Sequence, residues 1–350
     1  MQISLYHFKN HTEKTFTVGD GIQMLVGENG AGKSTFCEAM MVALNAENPH
    51  HTNWSEKSSF GTTDWSIRLQ TDEESHAVIY DSTTKTPKWY YREASIPRKK
   101  YNASLPSCAI WIQSDHLRVI SGEPGERRGF LDDMLSSADM HYAHLLKNYR
   151  TAISQRNKVL QNIQEGLMQK KDLASWNTLL AQSAVPLILQ RRQMFDWISH
   201  LTDESLHLPG PTRVVLIERH PLQEVTVDNF LKLLKEYEDR DCIVGKTTVG
   251  PQLDDIEFSV SIDQTWKPAR YTLSRGENKT LLLSFIKKIG MYIQHQSGKV
   301  PLFLLDDVLS ELDEVHIGTL LKLFEGTTTI ITTQPNHTGT STEGLRRIEW

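Results

Sequence analysis

The sequence predicts an α/β fold in which a buried parallel sheet carries a phosphate site and a long helical arm interrupts the chain. Three stretches predict it. Ile22-Gln23-Met24-Leu25-Val26 is a short apolar run, followed directly by Gly27-Glu28-Asn29-Gly30-Ala31-Gly32-Lys33-Ser34 and a helix-like stretch from Thr35 to Asn45. Leu302-Phe303-Leu304-Leu305 is a second apolar run, ending abruptly in Asp306-Asp307 and a Ser310-Glu311-Leu312-Asp313 turn. Between them, Asp139 to Lys171 and Asp172 to His200 read as two long helical stretches. Apolar runs of this length fit strands buried at the centre of a parallel sheet. Ligands of such sheets sit at the carboxyl ends of the strands.

The first run carries G-x-x-x-x-G-K-S with a strand before it and a helix after it, the context the motif requires. Its glycines let successive backbone N–H groups curl around a phosphate, and the helix N-terminus adds partial positive charge. Gly27, Glu28, Asn29, Gly30, Ala31, Gly32, Lys33, Ser34 and Thr35 are therefore the expected phosphate-contacting residues. Lys33 would reach the β- and γ-phosphates and Ser34 would ligate Mg²⁺. In the second run, two adjacent carboxylates at a strand end repel each other unless a cation or a shared proton is present.

The chain has 350 residues, enough for one large domain with an insertion or for two domains. No apolar run is long enough to span a bilayer, and no basic region followed by an apolar one opens the chain. Cys37, Cys108 and Cys242 are scattered, which fits a reducing compartment, so a cytoplasmic protein is expected. A net charge of −5 means that any nucleic-acid contact must use a local basic surface. Lys85 to Tyr101 is one: Lys85, Lys88, Arg92, Arg98, Lys99 and Lys100 stand against a single acid, Glu93, interleaved with Trp89, Tyr90, Tyr91 and Tyr101. It reads either as a DNA contact or as a solvated hairpin whose aromatics pack beneath the sheet.

Taken in order, strands are expected at Ile3 to Phe8, Ser66 to Gln70, His76 to Tyr80, Lys88 to Arg92 and Ala109 to Gln113. The helical pattern begins at Glu126, and Gly166 and Pro186 are expected to end or bend helices. Arg213 to Glu218 and Ile256 to Ile262 read as strands, with a helix from Asn229 to Tyr237. Ser274 stands where a helix N-cap belongs and Glu277 completes a capping box, leading a helix to about Gln296. The same Ser-x-Gly helix start can present itself to an anion. Glu314 to Phe324 reads as a helix, Thr327 to Thr332 as a strand, and Gln334 to Gly344 as a loose polar tail. His141 and His144 lie one turn apart without a completing ligand set, and His50-His51 reads as a surface loop.

Together, the phosphate loop, the Ser-x-Gly-Glu element, the strand ending Asp-Asp and the Ser-Glu-Leu-Asp turn resemble the ABC-type ATPases. Within them the chain is similar to the RecF family. Phe8-Lys9-Asn10, Gly125 to Asp132 (Gly-Glu-Arg-Arg-Gly-Phe-Leu-Asp), Gln155-Arg156-Asn157, Arg240-Asp241, Gly250-Pro251, Asp255, Leu273 to Gly276 and Leu304 to Asp313 follow that family's motifs in order. It departs at Lys9, where the family usually has Arg, at Gln252, usually His, and at Glu277, usually Gln. Lys33 and Ser274 are too far apart for a transporter ATPase, and the insert is too short for a long-armed SMC protein. A small-molecule P-loop kinase has no need of Ser274 to Glu277 or of Asp313.

The resemblance implies an ABC-type P-loop ATPase head with an inserted helical arm (lid) domain. The expected division is head at 1–120, arm at 121–208 and head again at 209–350. It implies a weak DNA-stimulated ATPase using ATP and Mg²⁺ and dimerising on ATP. Asp306 would hold Mg²⁺ through water, with Ser34 and Gln113 also at the metal. Asp307 would orient or deprotonate the attacking water. Gln113 would sense the γ-phosphate, Lys9 would contact nucleotide, and Ser274, Arg275 and Gly276 would contact the γ-phosphate bound by the other subunit. Asp313 would link the two sites. The implied partners are DNA gaps and single-strand/duplex junctions, a second copy of the chain, and RecO and RecR, in recombinase loading during repair, replication restart and the SOS response. The alternative is another ABC-type ATPase of DNA metabolism without the loading role. No membrane partner is expected.

Overall fold

The computed structural model describes residues 1–49, 52–71, 74–201, 206–337 and 340–348. The chain opens with β1 (Gln2–Phe8), β2 (His11–Thr17), β3 (Ile22–Val26) and α1 (Lys33–Asn45). There follow β4 (Asp64–Gln70), β5 (Ser75–Asp81), β6 (Lys88–Tyr91), β7 (Ala94–Ile96), α2 (Arg98–Ser104) and β8 (Ser107–Gln113). The helical stretch comprises α3 (Pro124–Ala138), α4 (Met140–Gln164) and α5 (Ala174–Ser199). Next come β9 (Thr212–Ile217), α6 (Val227–Glu236), α7 (Glu238–Val244), β10 (Asp255–Ile262), β11 (Thr265–Pro268) and α8 (Ala269–Thr272). The chain closes with α9 (Arg275–Ser297), β12 (Val300–Asp306), α10 (Glu314–Leu323), β13 (Thr328–Thr333) and β14 (Arg346–Arg347). His50-His51 lies outside the described residues, as does part of the expected loose tail.

These elements form two compact units. The first comprises the described parts of Met1–Arg118, Asp203–His207 and Ser274–Trp350. It holds a six-stranded sheet in the order β2-β1-β4-β5-β6-β7 and a five-stranded parallel sheet in the order β14-β3-β13-β12-β8. Helix α1 packs against strands of both. It has no polar face: 11 of its 13 residues are buried, among them Phe36, Met40 and Leu44. One continuous cluster joins those residues to Ile3, Leu5, Phe16, Trp65 and Ile67 of the first sheet and Leu302, Leu304 and Ile330 of the second. At the open edge of β8, Asn45 pairs both ways with Ala109, its Nδ2 donating to the carbonyl and its Oδ1 accepting from the N–H, each at 2.8 Å. An exposed strand edge is thereby closed from the end of the phosphate helix.

The second unit comprises the described parts of Val119–Thr202 and Leu208–Leu273. This corrects the expected boundary at 209, which assigned everything after the arm to the head. The reason is electrostatic as well as apolar. Arg127 makes a two-pronged pair with Asp255, both contacts at 2.8 Å. Fully buried Arg156 donates to Asp241 at 2.7 Å, to Thr247 at 2.8 Å and to Asn177 at 2.7 Å. Arg191 bonds Asp132 at 2.7 Å and the Pro251 carbonyl at 2.8 Å. Buried charges of this kind demand paired partners, so the segment after residue 208 is tied to the arm helices. Its sheet, β11-β10-β9, presents buried Ile256, Phe258 and Val260.

Helix α4 stops at Gln164 ahead of Gly166, which takes a left-handed φ of 77°, as expected of a helix terminator. Pro186 does not end α5; the helix runs through it, held by buried Val185, Leu187 and Ile188 on either side. The strand β2, the hairpin strand β7 and the terminal pairing of β14 with β3 were not evident in the sequence.

Candidate nucleotide site

Strand register builds the site. In the parallel sheet Val26 pairs with Thr333, Thr332 with Asp306, and Asp306 with Gln113. The end of β3, the two acids and Gln113 therefore share one carboxyl edge. One strand separates β3 from β12, which sets those ends about 10 Å apart.

The loop leaves β3 with Gly27 N–H donating to the Thr333 carbonyl at 3.1 Å. It then turns through Gly30 (φ 80°) and Gly32 (φ 102°), both left-handed. Gly32 is the N-cap of α1, and a Cβ there would lie 2.5 Å from the His11 ring and 2.7 Å from the Asn10 amide. Those two residues brace the loop: Asn10 Nδ2 donates to the Gly30 carbonyl at 3.1 Å, and His11 Nε2 lies 3.3 Å from the Gly32 carbonyl. A carbonyl only accepts, so Nε2 carries the proton. Burial pushes the pKa of His11 down, which favours its neutral form. Lys33 is buried, and its Nζ donates to the carbonyls of Gly27 at 2.6 Å and Glu28 at 2.9 Å. An ammonium has three N–H bonds, so one remains for an anion within the loop.

Asp306 is buried with both oxygens engaged: Oδ1 accepts from the Thr332 hydroxyl at 2.6 Å and Oδ2 from the Trp111 indole at 3.3 Å. Each oxygen keeps a second lone pair. Burial, and then the Asp306 charge, push the Cys37 thiol well up, so that carboxylate is felt three residues beyond Ser34 on α1. Asp307 is different. Its backbone is left-handed at φ 54°, held by N–H donation to the Thr332 carbonyl at 3.2 Å and hydroxyl at 3.1 Å. For a non-glycine residue this conformation costs on the order of 1 kcal/mol. Its Oδ1 is buried without a hydrogen-bond partner among the described residues, and so is the Thr333 hydroxyl. Two open polar atoms therefore stand at or next to the same strand ends.

The Ser274 turn and Asp313 are brought together as helix N-termini. Ser274 caps α9: its N–H donates to Glu277 at 2.7 Å and its oxygen accepts the Glu277 N–H at 3.3 Å. The cap uses the hydroxyl oxygen only as an acceptor, so its proton is available to an anion. Asp313 caps α10, accepting the His316 N–H at 2.9 Å. Arg275 and Gly276 form the first turn of α9.

Lys9 is held by pairing within the fold. Its ammonium pairs with Glu38, as does that of fully buried Lys57, and its backbone N–H donates to the Lys57 carbonyl at 2.7 Å. Lys9 thus ties the β1–β2 turn to the phosphate helix. Gln113 is half-buried at the end of β8, its N–H donating to His116 Nδ1 at 3.2 Å. No three His, Cys, Asp or Glu side chains cluster to hold a metal among the described residues; the His141 backbone N–H donates to Asp139, and His144 Nε2 lies 3.0 Å from the Asn148 amide.

Sequence reasoning missed Asn10, His11, Trp111, Thr332, Thr333 and His316. Two left a local trace: Thr332-Thr333, as hydroxyls ending an apolar strand, and Asn10, as the last residue of the Phe8-Lys9-Asn10 motif. The segment from Lys85 to Tyr101 divides cleanly. Trp89 and Tyr101 are buried, whereas Lys85, Lys88, Arg98, Lys99 and Lys100 are exposed and Arg92 lies 3.3 Å from Glu74.

The family model for the RecF/RecN/SMC N-terminal domain matches residues 1–348. The chain belongs to this family. Its RecF branch supplies the relatives. A "DNA replication and repair protein RecF" from Limosilactobacillus reuteri is 30% identical over 343 residues, covering 91% of this chain and 87% of that one. One from Chlorobium phaeovibrioides is 27% identical, covering 98% and 96%. Among solved structures, the recombination mediator protein RecF with ATPrS superposes with a TM-score of 0.78 at 21% identity, covering 98% of this chain and 93% of that one. The fold is that of the ABC-type ATPase head carried by RecF proteins.

Proposed function

We propose that the chain is an ATP-hydrolysing, DNA-binding head of recombinational repair that dimerises around ATP. The observation that carries this reading is the shared carboxyl edge: the phosphate loop, Asp306, the open carboxylate of Asp307 and Gln113 meet there by strand register. The donor set of Ser34 hydroxyl, Asp306 carboxylate and Gln113 amide consists of hard oxygens, which suits Mg²⁺ shared with nucleotide phosphates. The spare lone pairs on Asp306 fit a water-mediated contact. When bound, Mg²⁺ neutralises charge on the phosphate oxygens.

The chain's own residues supply the rest. The loop N–H groups, α1 and Lys33 hold the phosphates. Asp307 Oδ1 accepts a proton from the attacking water, whose oxygen bonds the γ-phosphorus as the β,γ-bridging oxygen leaves with its electron pair. Thr332 holds Asp307 at the angle this needs. The Ser274 hydroxyl and the first turn of α9 receive the γ-phosphate bound by the partner copy, and Asp313 lies beside that turn. Positioning and charge account for the acceleration. Lys9, expected to contact nucleotide, also steadies the phosphate helix through Glu38.

On this reading the DNA is gapped or carries single-strand/duplex junctions, the protein partners are RecO and RecR, and the outcome is recombinase loading; the relatives' name, a DNA replication and repair protein, supports the repair setting. The basic heads around β6, β7 and α2 supply a DNA surface. Because Trp89 and Tyr101 are buried, that surface contacts phosphates and has few faces on which bases stack. The test is binding to gapped and to blunt duplex DNA with and without ATP. Tighter binding to the gapped substrate that appears only with ATP is expected. Equal, ATP-independent binding to both would contradict the proposal.

A further inference from the structure

His316 lies between the two helix N-termini that the proposed dimer uses. Three observations fix its position. Its Nδ1 lies 2.7 Å from Asp313 Oδ1. Its backbone N–H donates to the same oxygen at 2.9 Å. Its ring fills the space in front of Gly276, where a Cβ would stand 2.5 Å from Cε1, 2.7 Å from Nε2 and 2.8 Å from Nδ1. Hydrogen bonding to His316, backbone first and ring second, lowers the Asp313 pKa, so this carboxylate stays ionised and only accepts. The ring therefore donates through Nδ1. One edge of a single imidazole is thus bonded to Asp313 and pressed against the turn that presents Ser274, Arg275 and Gly276.

We infer that His316 is a positioning residue that locks Asp313 and the Ser274–Gly276 turn into one rigid unit, so that contact of either with the second copy orders both. Gly276 has no side chain because the ring occupies that volume. The inference rests on the proposed ATP-dependent dimer. Loss of the ring frees two segments that must be ordered together when the copies meet, and that ordering entropy is then taken from the association. An exposed carboxylate bonded only by its own helix would leave the Ser274 turn indifferent to it. The His316 ring is what makes Asp313 and Gly276 neighbours.

The experiment compares wild type, His316→Ala and His316→Asn, each checked for an unchanged thermal unfolding midpoint, for the ATP concentration at half-maximal dimerisation by light scattering. His316→Ala should need at least tenfold more ATP. His316→Asn, which keeps an N–H donor one turn from Asp313, should recover at least half of that loss on a logarithmic scale. Equal midpoints for wild type and His316→Ala would overturn the inference. Equal loss in both folded variants would overturn it too, because the hydrogen bond would then carry none of the effect. If wild type itself fails to dimerise with ATP, the dimer reading fails instead, and the two failures are told apart by that control.

Discussion

The two units use charge in opposite ways. In the second unit three buried arginines are each paired with an acid: Arg127 with Asp255, Arg156 with Asp241 and Arg191 with Asp132. In the first unit, residues at the sheet edge and in the Ser274 turn leave valence open. Asp307 Oδ1 and Thr333 Oγ1 have no partner among the described residues, and Ser274 keeps its hydroxyl proton. A family motif is thus no guide by itself to where chemistry happens. Satisfied charges hold a fold, and unsatisfied ones at a strand end await a ligand.

Substitutions in the two units should therefore fail differently. Asp307→Asn removes the proton acceptor and should slow ATP hydrolysis about 10²-fold or more, with the unfolding midpoint unchanged or raised, because it removes the charge from a half-buried carboxylate whose Oδ1 has no partner among the described residues. Phosphate-release kinetics beside thermal unfolding check this; normal turnover would move Asp307 into the structural class. Arg156→Met does the converse. It strands Asp241 in the second unit and should cost about 3–5 kcal/mol in denaturant unfolding. A folded, fully stable variant would break the comparison from the other side.

Replacing Lys85, Lys88, Arg98, Lys99 and Lys100 with Gln should leave stability alone. It should flatten the salt dependence of duplex DNA binding, each lost phosphate contact removing about 0.9 from the log–log slope. An unchanged slope would place DNA elsewhere. The smallest expected effect concerns pH. Burial pushes the Asp254 carboxyl up to about 6, despite Arg191 nearby. The folded state therefore holds this proton more tightly than the unfolded chain does. The resulting stability is present below about pH 4 and is lost as pH rises through 6. Asp254→Asn keeps the site neutral. It should match wild type in acid and exceed it above pH 7 by on the order of 1–2 kcal/mol, as read by unfolding at both pH values. Equal stability at every pH would show that Arg191 pairs Asp254 fully.

The fold's frame was legible because its signals are local. The phosphate loop, the apolar strand ending in Asp306-Asp307 and the Ser274–Glu277 cap are each written in consecutive residues, and the structure keeps all three as read. What escaped is set by contacts distant in sequence. Lys9 is directed by Glu38, 29 positions on, and buried Lys57, neither of which carries a motif. The segment after 208 joins the arm because Asp241 and Asp255 meet Arg156 and Arg127, pairs separated by 85 and 128 positions. His316 lies three residues past Asp313, a spacing common in any helix, and gains meaning only from Gly276. Charged aromatic stretches are ambiguous for the same reason: whether Trp89 faces water or core depends on the strands beside it.

The central claim, that two copies close around ATP, is tested most directly by the solution mass of the Asp307→Asn variant, measured by light scattering with and without ATP and Mg²⁺. The expected result is a monomer without nucleotide and twice that mass with it, abolished by adding Lys33→Ala. A single monomer mass at every ATP and protein concentration would contradict it.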